Sequence, residues 1–110
     1  MGGMPEEDQK RAMHQALVDR ILTGPGEAST ELRARAFAGA GLAPPLGTLI
    51  DQVVRRPAQV SEADLAAVTA AGVTEDQLFE LVICAAVGHA SRLYDAGLAA
   101  LAEATSERAD

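Results

Sequence analysis

Residues 73–101 constrain this chain more than any other feature, because they form one long and almost entirely apolar run with helical periodicity. On a helix that turns about 100° per residue, most of its side chains share one broad apolar stripe. The stripe contains Leu78, Leu81, Val82, Ala85, Ala86, His89, Leu93, Ala96 and Ala100. Only a narrow strip is polar, and it carries Glu80, Cys84, Ser91 and Asp95. A helix of this kind is normally buried, and a chain of 110 residues offers few elements to cover it. The run therefore predicts association between chains.

The composition indicates a helical protein with a core of small and aliphatic side chains. Apolar residues make up 48% of the chain and aromatic residues only 3%, so Ala, Leu and Val build the core, and two of these are strong helix formers. The formal net charge of −7 disfavours nucleic acids and anionic membranes as partners. Four arginines are interpreted as solvated helix ends, namely Arg33, Arg35, Arg55 and Arg56.

The single cysteine, Cys84, excludes an internal disulfide and a zinc site built on several cysteines. The polar, acidic N-terminal segment lacks the apolar run of a signal peptide, and charged residues interrupt every apolar stretch. We therefore expect a cytoplasmic protein without a membrane span, a metal or a cofactor.

Helix start and stop signals divide the chain into about five helices within a single domain, residues 1–110. The predicted helices cover residues 6–22, 30–40, 46–56, 61–71 and 74–101. Ser61 with Asp64, and Thr74 with Gln77, have the spacing of capping boxes. Residues 1–5 and 104–110 are predicted to be loose tails. The sequence thus predicts an all-α fold with a long, buried C-terminal helix.

Three residues are candidates for a binding or catalytic site. His89 lies within the apolar stripe of the last helix, and Arg92 follows one turn later at its margin. A partly buried guanidinium requires a carboxylate or several carbonyls, and Arg92 is expected to pair with Asp51, Asp64 or an acid of another subunit. His14 lies on the apolar face of the first helix, so His14 and His89 share a cavity if the two helices pack.

Cys84 is a weaker candidate. It lies beside Glu80 on the polar strip, and a neighbouring carboxylate disfavours the reactive thiolate. His89 is five residues further on, about 140° away around the helix, so the two side chains cannot act as a dyad. We interpret Cys84 as a structural or incidental residue.

The run from residue 60 to residue 101 resembles the carboxymuconolactone decarboxylase and alkylhydroperoxidase-D-like family. The matching pieces are a short helix, the elbow AGVTED at residues 71–76, the Phe-Glu-Leu start at residues 79–81 and an Ala/Gly-rich helix that carries Arg92. The resemblance implies an all-helical homo-oligomer, a trimer or a hexamer. Peroxidase members of the family carry a Cys-x-x-Cys pair. Here Leu81 and Val87 stand three positions either side of Cys84, so the resemblance transfers no redox residue.

Three functions are consistent with these observations. The first is a structural or small-ligand-binding homo-oligomer without the two-cysteine peroxidase site. The second is an enzyme acting on a small organic acid or peroxide, with His89 as general acid/base and Arg92 as anion clamp. The third is a subunit that binds a partner protein within a larger complex.

Overall fold

A computed structural model describes residues 5–108 and is all-helical over that range, as predicted from the sequence. It contains five α-helices and a single 3₁₀ turn, Pro57–Gln59. The α-helices are α1 (Pro5–Thr23), α2 (Thr30–Ala38), α3 (Leu46–Arg55), α4 (Glu62–Ala70) and α5 (Glu75–Arg108). The described part contains no strand.

Local capping interactions fix the helix starts where the sequence predicts them. Ser61 Oγ accepts the backbone N–H of Asp64, and the Asp64 carboxylate accepts the backbone N–H of Ser61 at 3.0 Å. Thr74 and Gln77 make the same reciprocal pair, at 3.0 and 3.1 Å. Each pair satisfies two N–H groups that a helix start leaves without partners. Both predicted capping boxes are confirmed.

The core lies between the first half of α5 and the helices α2, α3 and α4. Its buried side chains are small or aliphatic, as the composition predicts. They are Ala28, Ala36, Leu46, Leu49, Ile50, Val68, Leu81, Cys84 and Ala85. α1 packs along the other flank of α5 and runs antiparallel to it, since Ile21 lies by Cys84 while His14 lies by Ser91.

α5 is only half covered by the rest of the chain. The helix has 34 residues and is therefore about 51 Å long, and it gives the molecule extents of 57 × 30 × 21 Å. Every residue from 92 to 106 is exposed. The single chain thus covers the first half of this helix and leaves the second half exposed. Burial of the second half requires association between chains and stays a prediction. Residues 104–108, predicted to be a loose tail, continue the helix, because no Gly or Pro interrupts them.

No helix among residues 5–108 combines the length and the apolar character that crossing a bilayer requires.

Candidate functional site

His89 and Arg92 line one groove, as their spacing on α5 predicts. α3 forms the opposite wall, and the loop between α2 and α3 closes one end. The groove has a volume of about 370 Å³, within the size range of small-molecule sites. Its floor is apolar and its rim is polar. The floor consists of Ala36, Leu42, Ile50, Val54 and Ala85, and the polar side chains are Thr48, Asp51, Arg55, His89 and Arg92.

Arg92 is held by a backbone carbonyl rather than by an acid. Its Nη1 donates to the carbonyl oxygen of Phe37 at 2.6 Å. Phe37 lies in the last turn of α2, where carbonyl groups lack helical partners and a positive charge is favoured. The predicted acid partners are engaged elsewhere: Asp51 pairs with Arg55 at 2.8 Å, and Asp64 caps α4. The guanidinium therefore keeps donors beyond the one that Phe37 uses.

His14 does not join His89, so the predicted shared cavity is wrong. His14 is exposed on α1, and its Nε2 lies 3.3 Å from Ser91 Oγ. Ser91 and His89 are two residues apart on α5 and therefore point about 160° away from each other. α1 packs on the Ser91 side, whereas the groove lies on the His89 side.

The groove is locally positive in an acidic chain. Two guanidinium groups face a single carboxylate, and that carboxylate is already paired with Arg55. The protein as a whole carries a formal charge of −7. A small anion is the ligand that this balance of charges favours.

Glycine residues keep the end of the groove open beside Arg92. Gly39 and Gly41 have φ values of 73° and 92°, a conformation that residues with a Cβ rarely adopt. A Cβ on Gly39 would lie 3.0 Å from Arg92 Nη2. The turn thus passes close to the guanidinium without crowding it.

Cys84 lies in the core and not on a solvated strip, which corrects the sequence interpretation. It is fully buried, and its Sγ is 3.8 Å from the carbonyl oxygen of Ile21. Burial raises the pKa of the Cys84 thiol, and nearby Glu80 raises it further against the opposing effect of Arg33. Both properties make the thiol a poor nucleophile.

Glu80, on the polar strip of α5, holds the loop between α1 and α2. The Glu80 carboxylate accepts the backbone N–H groups of Glu27 at 2.8 Å and Ala28 at 2.6 Å. These two hydrogen bonds, that of Ala28 first, lower the pKa of Glu80.

Arg33 holds the same loop from the other side and was misplaced by the sequence interpretation. It is buried, not solvated. It donates to the loop carbonyls of Gly24 at 2.7 Å and Ala28 at 2.9 Å, and to the carbonyl of Ile21 in the last turn of α1 at 3.2 Å. Its helical spacing from buried Ala36 and half-buried Phe37 was the signal that could have located it. Glu80 therefore accepts hydrogen bonds from the backbone N–H groups of the loop, and Arg33 donates hydrogen bonds to its backbone carbonyls.

Within the described range, no group of three or more His, Cys, Asp or Glu side chains is arranged to hold a metal ion. Comparison with known proteins found no matching family model, no matching curated sequence and no matching solved structure.

Proposed function

We propose that this protein is a homo-oligomer that binds a small organic carboxylate in the groove between α3 and α5. The observation that carries the proposal is the position of Arg92, Arg55 and His89 around one apolar-floored groove. Binding sites for small molecules commonly combine an apolar lining with a few polar groups that fix the ligand's orientation.

The ligand is held at both of its ends. The carboxylate receives N–H donors from Arg92, Arg55 and the His89 imidazole. The apolar body of the ligand rests on Ile50 and Val54. The Phe37 contact fixes the Arg92 side chain before the ligand arrives, which reduces the entropy lost on binding.

Thiol peroxidase chemistry is not part of this proposal. The chain contains one cysteine, and Cys84 is buried with a raised thiol pKa. A two-thiol cycle requires an accessible thiolate and a second thiol. Membership of the carboxymuconolactone decarboxylase-like family remains part of the proposal. Its support is the order of short helix, capped elbow and long helix over residues 60–101.

The test is a titration of the full chain with benzoate, succinate and acetate. The shift in melting temperature and calorimetry measure binding. A ligand that binds only the folded state raises the melting temperature. We expect at least one carboxylate to do so, and we expect His89→Gln and Arg55→Met each to weaken its binding about tenfold or more.

Arg56→Met is the matched control, because Arg56 is exposed and does not line the groove. It should bind the carboxylate like the unmodified chain. If no carboxylate stabilises the protein, or if Arg56→Met weakens binding as much as Arg55→Met, the groove is not the site.

A further inference from the structure

One side of α5 is apolar along nearly its whole length and, apart from the half-buried Ile83, is left exposed by the chain. We name it the back face, and it lies within an arc of about 100°. It consists of Phe79, Ile83, Ala86, Ala90, Leu93, Tyr94, Gly97, Leu101 and Ala104. Its four largest exposed side chains are Phe79, Leu93, Tyr94 and Leu101, which are 65%, 61%, 68% and 65% exposed. The face extends about 38 Å along the helix and contains no charged residue.

The chain exposes more surface than a compact monomer of its mass. Its accessible surface is 7993 Å², whereas a folded monomer of 11.4 kDa exposes about 5800 Å². Its radius of gyration is 17.2 Å, against about 13 Å for a compact domain of this length. The excess of about 2200 Å² exceeds the roughly 800 Å² that each partner buries in a standard interface.

The back face is complementary to itself when two copies run antiparallel. A two-fold axis at Ala90 places Ile83 opposite Gly97 and Tyr94 opposite Ala86. Each pair sets a large side chain against a small one, which lets two helices interlock and approach closely. Phe79 then meets Leu101 at both ends. A parallel pair in register would instead set Tyr94 against Tyr94 and Gly97 against Gly97.

We infer that a second copy of this chain covers the back face, by antiparallel packing of α5 on α5 about a two-fold axis at Ala90. The exposed second half of each helix then lies along the first half of its partner. Beside this contact, Ile83 and Leu17 line a cavity of about 420 Å³ at the edge of the back face, and Leu17 is 52% exposed. The inference makes the assembly in the proposed function a dimer, in place of the trimer or hexamer that the family resemblance implies. It is independent of ligand binding, because the groove lies within one chain.

The mass in solution tests this contact. Light scattering of the full chain at micromolar concentration should give twice the 11.4 kDa mass of one chain. Ala90→Glu should give a monomer, because the axis brings the two introduced carboxylates together in an apolar contact. Ala90 is exposed in the single chain, so the variant should keep its helicity by circular dichroism.

Ala99→Glu is the matched control, because Ala99 is equally exposed but lies on the opposite side of α5. It should remain a dimer. Cysteine cross-linking tests the direction of packing: oxidation should link Ile83→Cys chains to Gly97→Cys chains in a mixture, and should leave Gly97→Cys alone unlinked. A monomeric or trimeric wild type, an Ala90→Glu dimer, or linkage of Gly97→Cys to itself would overturn the inference. Carboxylate binding by monomeric Ala90→Glu separates failure of the assembly from failure of the groove.

Discussion

Gly88 of α5 packs directly on the backbone of Phe37 in α2. A Cβ at residue 88 would overlap the Phe37 carbonyl oxygen and lie 2.9 Å from the Phe37 Cα. One turn further along α5, Arg92 donates to the same carbonyl. The absence of a side chain at residue 88 thus sets how closely α5 approaches the end of α2, and with it the position of Arg92 at the groove.

Gly88→Ala should destabilise the fold by about 3 kcal/mol, because the methyl group meets backbone that cannot move aside easily. Gly97→Ala is the control on the same helix, where nothing in the chain lies within 4 Å of the added Cβ. The free energy of unfolding of this variant should rise by up to about 1 kcal/mol, because Ala has a higher helix propensity than Gly. Urea denaturation at low protein concentration, where association contributes least, measures both. Equal stability of the two variants would refute the close contact.

Arg33→Met should cost about 3 kcal/mol or more, because two carbonyls of the loop between α1 and α2 and one at the end of α1 lose their donor. Arg35→Met, two residues away, breaks only the exposed pair with Glu31 and should change stability by less than about 0.5 kcal/mol. Chemical denaturation distinguishes the two. A similarly small effect for both variants would show that Arg33 is a solvated residue, as the sequence indicated.

Cys84 should react with a thiol reagent far more slowly in the native protein than in urea, because the side chain is buried and its pKa is raised. Cys84→Ser should destabilise the protein by about 1–3 kcal/mol, since a hydroxyl is more costly to bury than a thiol. The labelling rate and the melting temperature provide the two measurements. Labelling of the native protein at the rate seen in urea would show that the thiol is accessible.

Glu80 should contribute a pH-dependent part of the stability. Its hydrogen bonds to Ala28 and Glu27 lower its pKa in the folded state below the ordinary value of 4.5. The contribution is therefore complete above that value and is lost as the pH falls through the lowered pKa. Glu80→Gln should lower the melting temperature at pH 7 and flatten the decline below pH 4.5. Glu103→Gln, on the exposed part of α5, should leave the profile unchanged.

The sequence predicted the elements that depend on local interactions. Caps such as Ser61 with Asp64 act over three residues, so their spacing alone locates a helix start. The same holds for His89 and Arg92, which share the groove because they are neighbours on one helix.

The sequence did not predict which helix covers which side of α5. By its position Cys84 belongs to a polar strip, yet the chain packs over that part of the strip and buries the Cys84 side chain, whose thiol lies by Ile21 of α1. His14 was placed with His89 because both lie on apolar faces, but the antiparallel position of α1 brings it to Ser91. The Arg92 partner was missed for a related reason: a backbone carbonyl at a helix end leaves no mark in the residue pattern.

The uneven coverage of α5 makes one continuous helix into two regions of different local stability. Amide protons before residue 92 exchange with solvent only when the packed core opens, so their protection follows the global unfolding free energy. Those from residue 92 onward lack tertiary cover within the chain and depend on a stretch close to the shortest isolated helix that persists in water. In a monomeric variant, the protection of amide protons from exchange should therefore fall steeply partway along α5. In the assembled protein, the residues after 92 whose amide protection rises to that of the core are the ones that a neighbouring molecule covers.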